Sequence, residues 1–429
     1  MLWRGLYRGV SAVITPALSI YMRRRLARGK EDPKRVSERR GIPSHDRPSG
    51  PLIWIHAASN GEAMSAQPLI DRLMRRDPNG TVLLTTGTVT SARLMADRLP
   101  PGAIHQFVPV DRTGWVRRFV DHWQPDLGIW LESELWPNLL WEMRDEGRPT
   151  VLINGRISAR SFAQWQRMPG LARDLIGGFS LCLAQTDREA KRLRDLGAAQ
   201  AECVGNLKFS APPLPVEPDL LAALRHAVAG RPLWLAASTH AGEEEKVADV
   251  HARLAPQRPG LLSILVPRHP SRSDAIAEML RTQGFRVARR SETAVPPVDC
   301  DIYLADTLGE LGLFYQLVDV ALIGGSLLTG IGGHNPVEAV QQGAVPLLGP
   351  DLGNFESVAQ ELTEAEGTLQ VANSADIAEA ISRLLDEPAY REQMVRAGAD
   401  VAARNRDVVG RVMERLAPLL PPVGGEGGS

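Results

Sequence analysis

The chain has 429 residues, too many for one ordinary hydrophobic core, so at least two domains are expected. Hydrophobic residues make up 44% and charged residues 23%, a composition typical of globular proteins. The formal net charge of −1 argues against a general nucleic-acid binder. Three widely spaced cysteines form no metal-ligand pattern and indicate free thiols in a reducing compartment.

The first 40 residues differ from the rest of the chain. Arg4 and Arg8 precede an uncharged run of 14 residues (9–22), and the next stretch (23–40) holds nine basic and three acidic residues. The uncharged run is shorter than the roughly 20 residues that span a bilayer. We therefore expect residues 1–40 to be a basic and apolar segment that associates with a membrane surface, its cationic residues at the headgroups. The alternatives are an amphipathic helix packed on the domain and a single span with snorkelling arginines.

Short apolar runs alternate with helical patterns in the first half of the chain. Six of these runs are predicted strands, at 52–57, 81–86, 104–109, 127–132, 150–155 and 181–186. Unbroken apolar strands separated by helices are typical of a parallel sheet covered on both faces. Residues 41–210 are therefore predicted to form a Rossmann-like domain.

A proline-rich stretch separates this pattern from a second one. Four prolines within residues 211–219 predict a stiff linker. Strands are then predicted at 232–239, 261–269, 285–290, 301–307, 320–326 and 344–350. We expect a second Rossmann-like domain (220–405), a C-terminal helix (406–420) and a disordered tail (421–429). Two such domains facing across a cleft are typical of the α/β GT-B fold, although a periplasmic-binding-protein architecture or a sugar-nucleotide epimerase fits the alternation too.

The stretch HAASNGEA (56–63) joins the first predicted strand to a helical pattern. Ser59 or Asn60 can cap the helix, and Gly61 leaves the backbone open to a ligand. Glu62 falls in the first turn, where the helix dipole favours a carboxylate. The residues leave two interpretations open: a helix-start acid, or a general base that takes the proton of an acceptor hydroxyl.

Further polar residues follow later strands of the first half. Glu132 and Glu134 are two apart, so on an extended segment they face the same side and can bind sugar hydroxyls or raise a pKa. First-turn acids that complement the helix dipole are the alternative. Arg156 and Lys208 lie in loops, where they can meet an anionic substrate or remain solvated.

In the second half, three motifs predict a phosphate site. Ser238 and Thr239 can offer hydroxyl groups, and Arg268 can clamp a phosphate. Asn335 begins a predicted helix behind a glycine-rich loop, and Glu338 in its first turn can hold ribose hydroxyls. A plain capping arrangement is the alternative for these last two residues.

Taken together and in order, the motifs make the chain resemble the 3-deoxy-D-manno-octulosonate (Kdo) transferases of lipopolysaccharide synthesis. The resemblance runs to near residue 415 and is carried by WIHAASNGE, TTGT, LESELWPN, INGRIS, GNLKF, PRHP, DTLGELG and GGSLLTGIGGHNPVE. It implies a GT-B enzyme on the cytoplasmic side of the inner membrane. It also implies inverting transfer of Kdo from CMP-Kdo to a lipid A precursor (lipid IVA). Neither a cofactor nor a nucleic-acid partner is implied, and no metal is needed if a helix N-terminus and an arginine stabilise the CMP leaving group.

The resemblance also implies roles for individual residues, with Glu62 matching the general base. With the motifs above, the predicted donor site comprises Lys208, Ser238, Thr239, Arg268, Gly309, Glu310, Gly312, Asn335 and Glu338. The predicted acceptor site comprises Asn60, Gly61, Glu132, Glu134 and Arg156.

Two residues depart from the family pattern, which has Val at the position of Asn60 and Pro at that of Ala339. The first departure puts acceptor detail in doubt rather than the reaction. Other functions stay open: a GT-B enzyme for another sugar nucleotide, a non-transferring epimerase, or a non-catalytic membrane-bound sugar-binding protein. One-, two- and three-step Kdo transferases share all of these motifs.

Overall fold

The computed structural model describes residues 2–13, 15–210 and 213–423. The chain divides into two units, one of Met1–Ala211 with Asp407–Ser429 and the other of Pro212–Arg406. The division falls in the proline-rich stretch, of which residues 211 and 212 lie outside the described residues and Pro218 already begins a helix. Of the tail expected to be disordered, residues 424–429 also lie outside them.

The described residues of the first unit form a seven-stranded parallel sheet in the order β3-β2-β1-β4-β5-β6-β7. Its strands are β1 (Leu52–Ala57), β2 (Thr81–Thr86), β3 (Ala103–Phe107), β4 (Leu127–Leu131), β5 (Thr150–Gly155), β6 (Leu181–Ala184) and β7 (Ala201–Cys203). Its helices are α1 (Leu2–Val13), α2 (Thr15–Ala27), α3 (Asn60–Arg76), α4 (Val89–Ala96), α5 (Thr113–Trp123), α6 (Pro137–Asp145), α7 (Ala159–Gln166), α8 (Pro169–Ile176), α9 (Asp187–Asp195) and, from the C-terminus, α18 (Val408–Leu416). Short 3₁₀ turns span Val36–Arg40 and Leu207–Phe209.

Both faces of this sheet are buried. Successive side chains of a strand point to opposite faces, so Trp54 packs with Trp130 on one face and Ile55 packs on the other. Helix α18 covers that second face through Val412 and Leu416, which returns the end of the chain to the first unit. Burial on both sides explains why β1 reads as an unbroken apolar run.

The described residues of the second unit form another seven-stranded parallel sheet, in the order β10-β11-β9-β8-β12-β13-β14. Its strands are β8 (Leu233–Thr239), β9 (Leu262–Pro267), β10 (Val287–Arg289), β11 (Ile302–Leu304), β12 (Val320–Ile323), β13 (Val345–Leu348) and β14 (Leu369–Gln370). Its helices are α10 (Pro218–Ala227), α11 (Glu244–Leu254), α12 (Ser273–Thr282), α13 (Leu311–Leu317), α14 (Val337–Gln341), α15 (Glu356–Glu364), α16 (Ser374–Asp386) and α17 (Pro388–Arg404). Three 3₁₀ turns span Ala255–Gln257, Pro270–Arg272 and Gly353–Phe355.

All twelve predicted strands are confirmed as members of two parallel sheets. Most are shorter than predicted, because the polar and glycine residues at their ends belong to loops. The strands β7 and β14 were missed, since they are only two or three residues long, partly exposed, and defined by pairing rather than by an apolar run.

Each sheet contains one point where the strand order reverses. In the first unit it lies between β1 and β4, and in the second between β8 and β12. The loops that follow such a strand pair run in opposite directions, which leaves room for a ligand at the carboxyl ends of the strands. Glu62 and Glu132 follow the first pair, whereas Ser238 lies at the carboxyl end of β8 and Asn335 follows β12.

Helix α1 is docked on the first unit through one face. Arg4 and Arg8 form ion pairs of 2.7 and 2.9 Å with Asp145 at the end of α6. The Tyr7 hydroxyl donates a 2.9 Å hydrogen bond to Asp111. The two arginines were expected at lipid headgroups, but the structure engages them with a carboxylate of the same unit.

The opposite face of α1 carries exposed apolar side chains at helical spacing: Trp3, Leu6, Val10 and Val13. Within the described part of the chain, no helix combines the length and the apolar character needed to cross a bilayer.

Candidate functional site

The first turn of α3 holds the Glu62 carboxylate by local hydrogen bonds. Ser59 is the N-cap, and its hydroxyl oxygen accepts from the Glu62 N–H at 3.2 Å. The same hydroxyl donates to Glu62 Oε1 at 2.9 Å, and the Ala58 N–H donates to Glu62 Oε2 at 2.9 Å. This arrangement resembles a capping box, so contacts within the local sequence hold the carboxylate in the first turn of α3.

The surroundings of Glu62 also raise its pKa. The residue is 7% exposed, and its burial, with the negative charge of Glu132 close by, raises the pKa of Glu62 to about 7. The hydrogen bonds from Ala58 and Ser59 act in the opposite direction, while Glu134 raises the pKa further. A carboxylate that is half ionised near neutral pH is suited to accept a proton during a reaction.

Glu132 was placed by sequence on an extended segment, and this geometry is wrong. The residue has a φ of +57°, so the chain turns directly after β4. A left-handed conformation is uncommon for glutamate and costs on the order of 1–3 kcal/mol, which the surroundings must offset. Its N–H donates to the Ile153 carbonyl at 3.1 Å, and its carboxylate pairs with Lys208 Nζ at 2.8 Å.

The Lys208 ammonium reaches this carboxylate from a short 3₁₀ turn that two asparagines shape. Asn206 Oδ1 accepts from the Lys208 N–H at 3.1 Å. Asn154 Oδ1 accepts from the Leu207 N–H at 3.0 Å, and Asn154 also has a left-handed φ of +56°. The Lys208 side chain is only 7% exposed, so it is a buried cation rather than a solvated one. Sequence reasoning missed both asparagines and the ion pair, because these residues come from separate strands.

The remaining residues predicted to bind the acceptor lie near the same strand ends. Asn60 begins α3, and its side-chain carbonyl accepts from the Ser91 hydroxyl at 2.6 Å. This contact ties the start of α3 to the start of α4. Burial raises the pKa of Glu134, opposed by a hydrogen bond from Trp136. Gly61 occupies the first turn of α3, and Arg156 is a half-buried residue directly after β5.

In the second unit, Glu243 organises the glycine-rich loop that follows β12. Its carboxylate accepts from the Gly325 N–H at 2.8 Å, the Leu327 N–H at 3.2 Å and the His240 N–H at 2.9 Å. The residue is fully buried. In the sequence it looks like one of three helix-start glutamates, and nothing there indicates its contact with a loop 82 residues away.

Three histidines and an arginine gather beside this loop. The Nε2 atoms of His240 and His334 lie 2.8 Å apart, so one ring must donate and the other accept. His269 packs edge-on against His240, with ring centroids 5.8 Å apart. Burial, together with the positive charge of Arg268, lowers the pKa of His334 to about 4. Both rings of the 2.8 Å contact are therefore neutral at neutral pH, and Arg268 is the exposed permanent cation of the group.

Asn335 and Glu338 are brought together as the sequence indicated. Asn335 Oδ1 accepts from the Val337 N–H at 3.1 Å, and its Nδ2 donates to Glu338 at 3.4 Å. Burial raises the pKa of Glu338, opposed by Asn335 and Arg268. Helix α14 has only five residues, so its dipole contributes little to anion binding.

Other predicted donor residues have different surroundings. Thr239 is fully buried and its hydroxyl donates to Glu244 at 3.1 Å, so that hydroxyl does not face a ligand. Ser238 beside it has a left-handed φ of +59°. A Cβ on Gly324 would lie 2.4 Å from the Ser238 carbonyl oxygen, which explains the glycine at this close approach.

The GELG segment (309–312) follows β11. Because β9 lies between β11 and β8, the ends of β11 and β8 are about 10 Å apart across the sheet. The Glu310 carboxylate forms a 2.6 Å ion pair with Arg290, which holds the pKa of Glu310 below its usual range. A Cβ on Gly312 would lie 2.6 Å from the Pro215 carbonyl oxygen, so this glycine lets the proline-rich stretch pack on α13. Gly309 has a φ of +83° and open space around it.

Two further features lie apart from these residues. The sequence Asp299-Cys300-Asp301 precedes β11 at its amino end, and Asp301 forms a 2.6 Å ion pair with Arg286. Across residues 2–13, 15–210 and 213–423, no group of three or more His, Cys, Asp or Glu side chains is arranged to hold a metal ion. A surface depression of about 540 Å³ lies beyond β13, where Asp351 and Glu356 are among its lining residues.

Known proteins resemble the chain in sequence. Residues 34–211 match the family described as 3-Deoxy-D-manno-octulosonic-acid transferase (kdotransferase). The 3-deoxy-D-manno-octulosonic acid transferase of Rickettsia bellii (strain RML369-C) is 33% identical over 97% of this chain and 99% of its own. The enzyme of the same name from Haemophilus influenzae (strain ATCC 51907 / DSM 11121 / KW20 / Rd) is 33% identical over 98% of this chain and 99% of its own.

Solved structures resemble the chain in fold. MurG of Acinetobacter baumannii has a TM-score of 0.55 at 11% identity, covering 86% of this chain and 99% of its own. UDP-GlcNAc 2-epimerase of Neisseria meningitidis has a TM-score of 0.56 at 14% identity, covering 86% of this chain and 100% of its own. The C-terminal CMP-Kdo binding domain of WaaA from Acinetobacter baumannii is 30% identical, covers 43% of this chain and 98% of its own, and has a TM-score of 0.42.

The two parallel sheets and their structural neighbours define an α/β protein of the GT-B-like class. Within that class, identity of 33% over almost the whole length shows that the chain belongs to the 3-deoxy-D-manno-octulosonic acid (Kdo) transferase family. It is therefore a glycosyltransferase.

Proposed function

We propose that this protein transfers Kdo from CMP-Kdo to a lipid A precursor, lipid IVA, in lipopolysaccharide synthesis. Membership of the Kdo transferase family supports the sugar and the pathway. The mechanism is supported chiefly by the environment of Glu62, a buried carboxylate with a pKa of about 7. Glu62 follows β1, one of the two strands at which the strand order reverses. A base with such a pKa can take up a proton at neutral pH.

In the proposed reaction, Glu62 accepts the proton of an acceptor hydroxyl as the hydroxyl oxygen bonds to the anomeric carbon of Kdo. The bond from that carbon to the phosphate of CMP breaks, and CMP leaves with the electron pair. Attack from the face opposite CMP inverts the configuration. A carboxylate has about four lone-pair positions, so Glu62 can receive this proton while Ala58 and Ser59 still donate to it.

We assign donor binding chiefly to the second unit and acceptor binding to the first, with boundaries near residues 41–210 and 220–405. The exposed cation of Arg268 beside the neutral pair His240 and His334 supports a phosphate site that needs no metal. Lys208, which lies in the first unit, is proposed to meet the carboxylate of Kdo. Its 2.8 Å pair with Glu132 supports this role, because it holds the ammonium group near the proposed base.

We further propose that the protein associates peripherally with the cytoplasmic face of the inner membrane. The apolar stripe of α1, formed by Trp3, Leu6, Val10 and Val13, supports insertion at the depth of the headgroups. Arg23 and Arg24 at the end of α2 are exposed, and they would be attracted to anionic lipids.

The transfer reaction is tested by incubating the full-length protein with CMP-Kdo and lipid IVA. Mass spectrometry of the lipid is expected to show a gain of Kdo together with release of CMP, and the mass gives the number of Kdo residues added. The rate should be unchanged by EDTA. Binding of CMP-Kdo without any product would favour a non-catalytic sugar-binding protein. Transfer only from another sugar nucleotide would show that CMP-Kdo is not the donor.

Membrane association is tested by flotation of the protein with vesicles that contain anionic phospholipid. Leu6→Glu and Val10→Glu are expected to abolish flotation, because a charge at the inserted face opposes burial in the bilayer. Val298, which is 85% exposed in the second unit, provides the matched control Val298→Glu. Equal flotation of all four proteins would contradict the assignment of α1.

A further inference from the structure

A buried arginine lies at the end of the 3₁₀ turn Val36–Arg40. Arg39 is 5% exposed, and its Nε donates to the Glu31 carboxylate at 2.9 Å. Glu31 is itself buried, and its other oxygen accepts from Arg25 of α2 at 2.7 Å. Removing a buried ion pair from water is costly, so further hydrogen bonds are needed to offset the lost hydration of the guanidinium.

The remaining donors of the Arg39 guanidinium reach the carboxyl ends of two strands. Nη2 donates to the Gly87 carbonyl, just after β2, at 2.5 Å. Nη1 donates to the Val108 carbonyl, just after β3, at 3.1 Å. The planar group thus fixes two loops and one carboxylate at the same time, which the three donors of a lysine on a flexible stem cannot reproduce.

From Gly87, two hydrogen bonds lead to the proposed base. The Gly87 N–H donates to the Ala58 carbonyl at 3.1 Å, and the Ala58 N–H donates to Glu62 Oε2 at 2.9 Å. A Cβ at Gly87 would lie 2.8 Å from the Ala58 carbonyl oxygen, a backbone atom with little freedom to move. This close approach explains the glycine of the TTGT motif.

We propose that Arg39 is a positioning residue for Glu62, acting through Gly87 and Ala58 to fix the N–H group that holds the base. The proposal rests on the proposed function of Glu62. It means that the N-terminal segment, besides its proposed contact with the membrane, completes the active site of the first unit.

The direction of the effect follows from the groups that face Glu62. Burial, Glu132 and Glu134 raise its pKa, whereas the hydrogen bonds from Ala58 and Ser59 lower it. Lys208 acts on this set through its pair with Glu132. Displacing the Ala58 N–H therefore raises the pKa of Glu62, and the base becomes ionised only at higher pH.

The test is the pH dependence of kcat/KM for CMP release by the full-length protein, with CMP-Kdo and lipid IVA. Arg39→Lys and Gly87→Ala are each expected to move the acidic limb upward by about 0.5 to 1 pH unit, because a charge-assisted hydrogen bond is weakened. Arg98→Lys changes an exposed arginine in the same unit and should leave the limb in place. The proposal is overturned if the acidic limb of the pH profile does not move in either Arg39→Lys or Gly87→Ala. It is also overturned if the acidic limb moves in Arg39→Lys but not in Gly87→Ala.

Folding and the role of the base are controlled separately. Gly87→Ala keeps both Arg39 and Glu31, so if Arg39→Lys fails to fold in thermal melts, an unmoved acidic limb in Gly87→Ala still overturns the proposed route through Gly87 and Ala58. Glu62→Gln separates failure of the proposed base from failure of the positioning role. If Glu62→Gln retains near-normal turnover, the proposed function of Glu62 fails. If Glu62→Gln loses turnover but the acidic limb stays in place in both Arg39→Lys and Gly87→Ala, only the positioning role of Arg39 fails.

Discussion

The two points of strand reversal have the same topology and opposite chemistry. In the first unit, Glu62 and Glu132 follow β1 and β4, and burial, together with the negative charge of Glu132, raises the pKa of Glu62 to about 7. In the second unit, β8 and β12 lead to His240 and His334, and burial beside Arg268 lowers the pKa of His334 to about 4. The shared topology thus sets the positions of these side chains, whereas their identity determines the charge that a ligand at each point would meet.

A second contrast concerns two buried glutamates that both bind backbone N–H groups. Glu62 receives one backbone N–H and one hydroxyl, and its raised pKa leaves it ready to accept a proton. Glu243 receives three backbone N–H groups from two loops. We interpret the first as a reactive carboxylate and the second as a structural one, because the oxygens of Glu243 are occupied by backbone N–H groups of two loops.

The largest expected effect is that of Glu62→Gln on turnover. The amide keeps the size of the side chain but cannot accept the proton, so kcat should fall about 10³-fold, within the range for loss of a general base. Binding of CMP, measured by calorimetry, should stay within about threefold of the wild type. Turnover near the wild-type rate would remove the distinction between the two glutamates.

The corresponding change in the second unit, Glu243→Gln, should act on stability. The amide presents N–H donors to backbone N–H groups, and a buried unsatisfied group costs about 1–3 kcal/mol. We expect a fall of several degrees in the thermal melting temperature and a slower enzyme whose pH profile is unchanged. An altered pH profile at full stability would show that Glu243 is a second reactive carboxylate.

The smallest expected effect among these variants is that of Arg268→Gln on the donor. Arg268 is exposed, so the fold should be unaffected. Loss of a charge-assisted contact to phosphate should raise the KM for CMP-Kdo about 10- to 100-fold, with a smaller change in kcat. Arg98→Gln is the matched control. A KM equal to that of the wild type would exclude Arg268 from the donor site.

Sequence pattern predicted the features that depend on local rules. Apolar runs gave the strands of both sheets, and the spacing of Ser59 and Glu62 gave the start of α3 directly after β1. Both signals come from neighbours along the chain, where burial and capping leave a periodic trace. The position of Glu62 near the carboxyl ends of the strands then followed from their parallel order.

Contacts between distant residues could not be predicted in the same way. The pair of Lys208 and Glu132 joins loops after separate strands, and the left-handed turn at Glu132 has no glycine to indicate it. Likewise, Glu243 in the sequence is one of three consecutive glutamates, and only the folded chain distinguishes it. Tertiary packing rather than local propensity selects these residues.

The central claim is that Glu62 is the base, and the pH dependence of kcat/KM in the wild-type protein tests it most directly. Because burial raises the pKa of Glu62, the carboxyl is protonated and inactive below that pKa and ionised above it. We predict a rising acidic limb with an apparent pKa near 7 that is absent from the residual activity of Glu62→Gln. A limb near the ordinary glutamate pKa of about 4.3, or the same limb in Glu62→Gln, would contradict it.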